Sequence, residues 1–77
     1  MHYMAHINEN GKSRVAEIDT MGHVAAAANE IISSANIREG AEVLIAWMGF
    51  DFPSQRFAVT EYRFTVEDGN AQSIERA

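Results

Sequence analysis

Three histidines and a pair of adjacent serines are the side chains of this chain best suited to catalysis or metal binding. His2 and His6 share one side of a predicted strand, but four residues along a strand separate them by roughly 13 Å, too far to hold one metal ion. The sequence places no Ser nucleophile and orienting carboxylate beside His23. Ser33-Ser34 falls on a predicted helix, without the context of a nucleophile elbow. We therefore predict surface histidines, no catalytic residue and no metal ligand.

The glycines and the absence of cysteine restrict the chemistry further. The five glycines, at positions 11, 22, 40, 49 and 69, form neither a G-x-G-x-x-G nor a Walker loop. Without cysteine the chain has no disulfide, thiolate nucleophile or iron–sulfur ligand. We predict no cofactor and no enzymatic activity. The alternative is a small dimeric α+β enzyme, which would require a closed pocket containing a titratable group with a strongly shifted pKa.

The charge balance argues against direct binding of nucleic acid. Six Lys and Arg against eleven Asp and Glu give a net charge of −5, whereas phosphate binding depends on basic residues. The acids form either a solvated surface or an acidic face for a basic groove on another protein. The longest uncharged apolar run, residues 43–50, is far shorter than the roughly 20 residues that span a bilayer. No basic and apolar leader follows Met1, so we expect a cytoplasmic protein, without membrane contact.

The elements that would position these residues begin with a hairpin. Asn10-Gly11 lies between two alternating segments, and both residues tolerate the positive φ of a type I′ turn. A two-residue turn pairs Glu9 with Lys12, Ile7 with Arg14, Ala5 with Ala16, and Tyr3 with Ile18. This register collects the apolar residues on one face and sets opposite charges beside the turn.

A helix is predicted after the hairpin. Thr20, or Asp19 before it, can serve as its N-cap, and apolar residues recur at helical spacing from Met21 onward. The helix is expected to end near Ala35. Asn36 can then adopt the left-handed C′ conformation, with a hydrophobic contact from the next residue, Ile37.

Two further strands are predicted at residues 43–52 and 55–66. A loop centred on Pro53 would pair Trp47 with Val59 and Leu44 with Tyr62. The face toward the helix would then hold Leu44, Ala46, Met48, Phe50, Ala58, Tyr62, Phe64 and Val66. The opposite face would hold Val43, Ile45, Trp47, Phe57 and Val59, with Glu61 and Arg63 at its edge.

The predicted architecture is a two-layer α+β domain. Residues 1–66 would form a single ββαββ domain, a four-stranded antiparallel sheet with one helix packed on one face. Residues 67–77 would be a polar C-terminal tail, frayed or in a short surface helix, with one large apolar residue, Ile74.

The residues predicted to bind a partner lie on the sheet face that no helix covers. Exposing four large apolar side chains there would forgo roughly 1.5 to 3 kcal/mol each, and patches of that kind mark interfaces. Core packing of Trp47 is the alternative reading. The predicted partner-binding residues are Ile45, Trp47, Phe57, Val59 and Glu61. A homodimer through the same face is compatible with this prediction.

Two resemblances suggest what the partner could be. The opening Tyr3-x-Ala5-x-Ile7, then Gly11, then Ala16-Glu17 before a helix, resembles the start of HicB-type antitoxins, which implies neutralisation of a toxin. In size, acidity, lack of cysteine and predicted plan, the whole chain is similar to the small phage-encoded anti-CRISPR inhibitors. That likeness implies a non-enzymatic protein that docks on a CRISPR effector complex and blocks DNA recognition or nuclease recruitment. It transfers no site residues.

Overall fold

The computed structural model describes residues 1–50 and 52–77 in full and residue 51 by its backbone alone. The elements in chain order are β1 (His2–Glu9), β2 (Lys12–Asp19), α1 (Val24–Ser34), β3 (Glu42–Asp51), β4 (Arg56–Glu67) and β5 (Asn70–Arg76). Within the described chain, five strands form one antiparallel sheet in the order β2-β1-β3-β4-β5. The α+β class with an antiparallel sheet is confirmed, whereas the four-stranded ββαββ plan is wrong.

The β1–β2 hairpin has the predicted register. Glu9 pairs with Lys12 and Tyr3 with Ile18, and the pairs between them follow in step. Asn10 and Gly11 both have positive φ, 52° and 77°, as a type I′ turn requires. The local turn signal and the alternation of apolar residues therefore agree in this part of the chain.

The two faces of the sheet differ in cover. The inner face lies under α1, and the outer face has no helix over it among the described residues. The core between α1 and the inner face consists of Tyr3, Ala5, Ile7, Ala27, Ala28, Ile31, Ile32, Ile37, Ala41, Val43, Ile45, Phe64 and Val66. Large exposed apolar residues are found mainly on the outer face.

The helix begins later than predicted. Thr20 extends the hairpin instead of capping the helix, because its backbone N–H donates to Met1 O at 2.9 Å and its carbonyl accepts from the Met1 ammonium at 2.8 Å. Its Oγ1 accepts a hydrogen bond from Gly22 N at 3.2 Å. The helix then starts at Val24, with His23 before it making no side-chain cap bond.

The predicted end of the helix is confirmed. Asn36 has φ of 53°, the left-handed conformation. Ile37 N–H donates to Ile32 O at 2.9 Å and Asn36 N–H to Ser33 O at 3.3 Å, the two bonds of a Schellman motif. Ile37 is buried and supplies the hydrophobic contact.

The predicted register of β3 and β4 is wrong by one residue. Trp47 pairs with Thr60 instead of Val59, and Leu44 pairs with Arg63 instead of Tyr62. The loop between the strands is even-numbered, not centred on Pro53. Because side chains alternate along a strand, this single step exchanges the two faces of β3. The residues Leu44, Ala46, Met48 and Phe50 lie on the outer face, and Val43, Ile45 and Trp47 on the inner face.

The segment predicted as a polar tail contains the fifth strand. Asp68 and Gly69 form a tight turn with φ of 54° and 74°, and β5 returns along β4 with Glu67 opposite Asn70. Ile74 packs against the core. Asn29 of α1 also holds this strand, because its Oδ1 accepts from Ala71 N at 2.9 Å.

Carboxylates fasten the loops to the sheet. Glu9 accepts from Arg14 Nε at 2.7 Å and from the Arg38 backbone N at 2.9 Å. Arg14 Nη2 also donates to the carbonyl of Ala35 at 2.9 Å, so the hairpin is tied to the end of α1. Glu39 likewise accepts from backbone N–H groups of the β4–β5 turn.

Candidate protein-interaction surface

The β3–β4 hairpin extends beyond the strands on either side of it. Along β3, pairing with β1 stops at Trp47, and along β4, pairing with β5 stops at Tyr62. The backbone N–H of Ala77 adds one bond to Glu61 O at 2.8 Å. In the described structure, residues 48–59 therefore form a two-stranded ribbon, which we call the arm. A two-stranded hairpin alone is marginally stable in water, so the arm benefits from cover.

The outer side of the arm is apolar. Its large side chains are exposed by 62% at Met48, 42% at Phe50, 77% at Phe52, 71% at Phe57 and 53% at Val59. The ring of Phe50 meets those of Phe52 and Phe57 edge to face, with centroids 5.1 and 5.2 Å apart. These five residues are called the arm patch. Their mutual contacts leave most of the patch in water.

The inner side of the arm is covered at its base by Trp47. Trp47 is half-buried against the core, and its indole lies over Gly49, where an added Cβ would overlap ring atoms Cζ2 and Cη2. Gly49 faces the small residue Ala58 across the ribbon. The indole therefore covers backbone that would otherwise face solvent, and the outer side remains as the apolar surface of the arm.

The five residues predicted to bind a partner do not share a face. Ile45 is fully buried and Trp47 half-buried, both on the inner face. Phe57, Val59 and Glu61 lie together on the outer face and are exposed. The prediction that all five form one surface is wrong, because the one-residue shift moved the β3 members to the core.

Sequence reasoning missed the β3 half of the surface. Met48 and Phe50 were predicted to face the helix, but they lie beside Val59 and Phe57 on the outer face. Phe52 was predicted as the last residue of this strand and was assigned to neither face. A β3–β4 loop with an even number of residues would have placed them correctly, since it puts Phe50 opposite Phe57.

The outer face beyond the arm carries a narrower apolar strip among charged residues. Met4 and Val15 are exposed by 40% and 54%, and Leu44 and Ala46 beside them are half-buried. Next to this strip, His2 lies 3.4 Å from Glu17 and 3.5 Å from Asp19, measured between ring nitrogens and carboxylate oxygens. The charged residues make this part of the face more polar than the arm.

An open groove of about 520 Å³ crosses the polar part of the outer face. It is lined by residues of mixed character, among them His6, Glu42, Leu44, Arg63 and Glu75. Across the described side chains, no group of three or more His, Asp or Glu is arranged to hold a metal ion. The groove therefore has neither the enclosure nor the clustered ligands of a typical cofactor site.

Three described groups have clearly displaced pKa values, each with a structural cause. The hydrogen bond from Arg14 lowers the pKa of Glu9 from 4.5 to about 2, with a further contribution from the Arg38 backbone. Burial, and then the nearby Tyr62, raise the pKa of Tyr3. The hydrogen bond to Glu9 raises the pKa of Arg14. None of the three groups lies on the arm. The shifts of Glu9 and Arg14 reflect their ion pair, and that of Tyr3 reflects core packing.

Comparison with protein families, with curated proteins and with solved structures finds no match to this chain. Among the described residues, no helix is both long enough and apolar enough to cross a membrane.

Proposed function

We propose that this chain is a non-enzymatic protein-binding inhibitor that contacts its partner through the arm patch. The observation that supports this function is the exposure of five large apolar side chains on a ribbon that, among the described residues, no further strand supports beyond Trp47 and Glu61. Single exposed apolar residues are ordinary, but a contiguous group of aromatic and aliphatic side chains is typical of an interface.

The size of the patch supports binding to another protein. Large side chains of this kind have surfaces of roughly 150 to 250 Å² each, so the patch leaves on the order of 500 Å² of apolar surface in water. Burying each side chain would contribute about 1.5 to 3 kcal/mol. A partner that covers the patch therefore gains a driving force that the isolated chain lacks.

Charge favours a basic partner. The chain carries a net charge of −5, and Glu61 stands on the outer face at the base of the arm. Acidic groups around an apolar centre accelerate association with a basic surface and disfavour association with acidic ones. Occlusion of a basic groove on the partner is the mode of inhibition that this arrangement favours.

The narrower proposal is a phage-encoded inhibitor that docks on a CRISPR effector complex in the host cytoplasm. It is supported by the small size, the acidity and the absence of cysteine. Because the sheet has a fifth strand, the predicted ββαββ plan no longer supports that resemblance. The arm patch supports protein binding in general and does not depend on this narrower identity.

Affinity capture from a lysate of the bacterial host tests the function with three baits. Phe57→Glu places a charge in the centre of the patch, and Val15→Glu places the same charge on the outer face away from the arm. We expect the wild type and Val15→Glu to retain the same partner, and Phe57→Glu to bind it at least ~30-fold more weakly, the effect of losing a hot spot worth about 2 kcal/mol.

Retention of the partner by a folded Phe57→Glu variant would contradict the proposal. Circular dichroism establishes folding of each bait. For the narrower identity, target-DNA binding by a purified CRISPR effector complex is measured with each variant added. Inhibition by the wild type and Val15→Glu, but not by Phe57→Glu, is the expected result, and no inhibition by the wild type would overturn that identity for the complex tested.

A further inference from the structure

We propose that the arm patch also packs against the arm patch of a second copy of this chain, antiparallel and around a two-fold axis near Ala58. The inference rests on the proposed function in that both use the outer side of the arm. Self-association and partner binding then exclude each other. The dimer covers the patch until a partner of higher affinity displaces the second copy.

The patch is complementary to itself in shape. It contains two cross-strand rows, Met48 with Val59 and Phe50 with Phe57. A two-fold axis that lies between the two ribbons, perpendicular to the strands and near Ala58, places the aromatic row of each copy over the aliphatic row of the other. Such an isologous contact closes on itself as a dimer. Two ribbons packed in this way form a small β-sandwich with sheets about 10 Å apart.

The charge at the base of the patch favours the antiparallel arrangement. Glu61 lies on the outer face, three residues from Ala58 toward the base of the arm. Antiparallel packing around Ala58 therefore places the Glu61 side chains of the two copies at opposite ends of the interface. A parallel arrangement would place them side by side, where like charges repel.

The edges of the whole sheet are poorly suited to the alternative, edge-to-edge pairing. β2 carries Lys12, Arg14, Glu17 and Asp19 along one edge. On the other edge, the pairing of β4 with β5 shifts register between Arg63 and Thr65, and Ser73 has φ of 55°. Charges and irregularities of this kind discourage the addition of another strand. Among its described residues, the outer side of the arm has neither.

The area sets the strength of the dimer. On the order of 500 Å² from each copy gives about 1,000 Å² in total, at the lower limit of specific interfaces and well below the 2,000 Å² or more of obligate dimers. We therefore expect a reversible dimer with a Kd in the micromolar range. The monomer then remains accessible to a tighter partner.

Sedimentation equilibrium between about 1 and 500 µM tests the dimer directly. We expect the wild type and Val15→Glu to dimerise with similar Kd, and Phe57→Glu to remain monomeric. Glu61→Gln should leave the Kd little changed, because antiparallel packing already separates the two carboxylates. In a parallel dimer the same substitution would remove a repulsion and tighten the association several-fold.

Each other outcome overturns a stated part of the inference. A wild-type monomer at the highest concentration excludes the dimer, while the capture experiment with the host lysate still decides the proposed function. A dimer that Glu61→Gln tightens several-fold excludes the antiparallel arrangement. Thermal unfolding of each variant shows that it is folded, and Phe57→Ser replaces Phe57→Glu if the latter is not.

Discussion

The indole of Trp47 lies over Gly49, two residues further along β3, in the space that a side chain at position 49 would occupy. This contact covers the base of the arm's inner side, and the large exposed apolar residues of the arm lie on its outer side. The same tryptophan also packs against the core, so it joins the arm to the body of the domain.

Gly49→Ala should displace the indole. The added methyl group overlaps the ring, and overpacking of this kind costs typically about 1 to 3 kcal/mol. We expect a lower free energy of unfolding and a red-shifted emission from Trp47, the single tryptophan of the chain. Ala58→Gly, directly across the ribbon, is the control and should lower stability without the red shift. An unchanged spectrum for Gly49→Ala would show that the indole does not depend on this contact.

The ion pair of Glu9 and Arg14 should make stability depend on acid pH. The pKa of Glu9 is lowered from 4.5 to about 2 in the folded chain, so the ionised carboxylate stabilises the fold. That contribution is fully present above pH ~4.5 and is lost as the pH falls through about 2. The difference in free energy of unfolding between wild type and Glu9→Gln should therefore shrink over this range, as measured by urea unfolding.

A double-mutant cycle assigns this effect to the pair. Arg14→Gln should lower the free energy of unfolding of the wild type by an amount that decreases toward pH 2. In the Glu9→Gln background, the effect of Arg14→Gln should not depend on pH. Equal pH dependence in both backgrounds would place the source of the effect elsewhere.

Asn29→Ala should loosen β5 more than the rest of the sheet. The substitution removes the acceptor of the Ala71 N–H and is expected to cost about 1 kcal/mol or more. Amide hydrogen exchange should accelerate along residues 70–76 and change little along β1. Asn29→Asp keeps an acceptor oxygen and should protect β5 better. Equal acceleration in both strands would mean that this bond does not hold β5 in particular.

Gly69→Ala should destabilise the fold by about 1 kcal/mol, because the residue has φ of 74° in the turn before β5. Asp68→Asn is the control, since asparagine is equally favourable at the first position of this turn. Its thermal midpoint should match the wild type. A Gly69→Ala midpoint equal to both would show that the turn tolerates a side chain there.

The three hairpin connections explain what the sequence could predict. Asn10-Gly11 is bounded by alternating apolar residues, so its turn and register follow from local signals alone. Asp68-Gly69 forms the same kind of turn, but the segment after it has one large apolar residue, Ile74, and was predicted as a tail. The Asp68-Gly69 turn signal, which the prediction did not use, was a better guide to this strand than hydrophobicity.

The candidate surface was harder to predict because it depends on whether the β3–β4 loop has an odd or an even number of residues. Odd and even loops around Pro53 give registers that differ by one residue, and both make apolar faces when a strand such as β3 is apolar on its two sides. Tertiary packing decides between them by burying Ile45 completely. The β4 residues Phe57 and Val59, in a strand with cleaner alternation, were placed correctly on the uncovered face.

Site-specific photo-crosslinking from position 57 tests the contact made by the arm patch most directly. Benzoylphenylalanine replaces Phe57 in one variant and Ser13, on the outer face far from the arm, in a control. We predict strong adducts from position 57 and few from position 13. An adduct near twice the 8.5 kDa chain mass identifies a second copy, and any other mass identifies a different protein. Adducts that are absent at position 57, or equally abundant at both positions, would contradict the account.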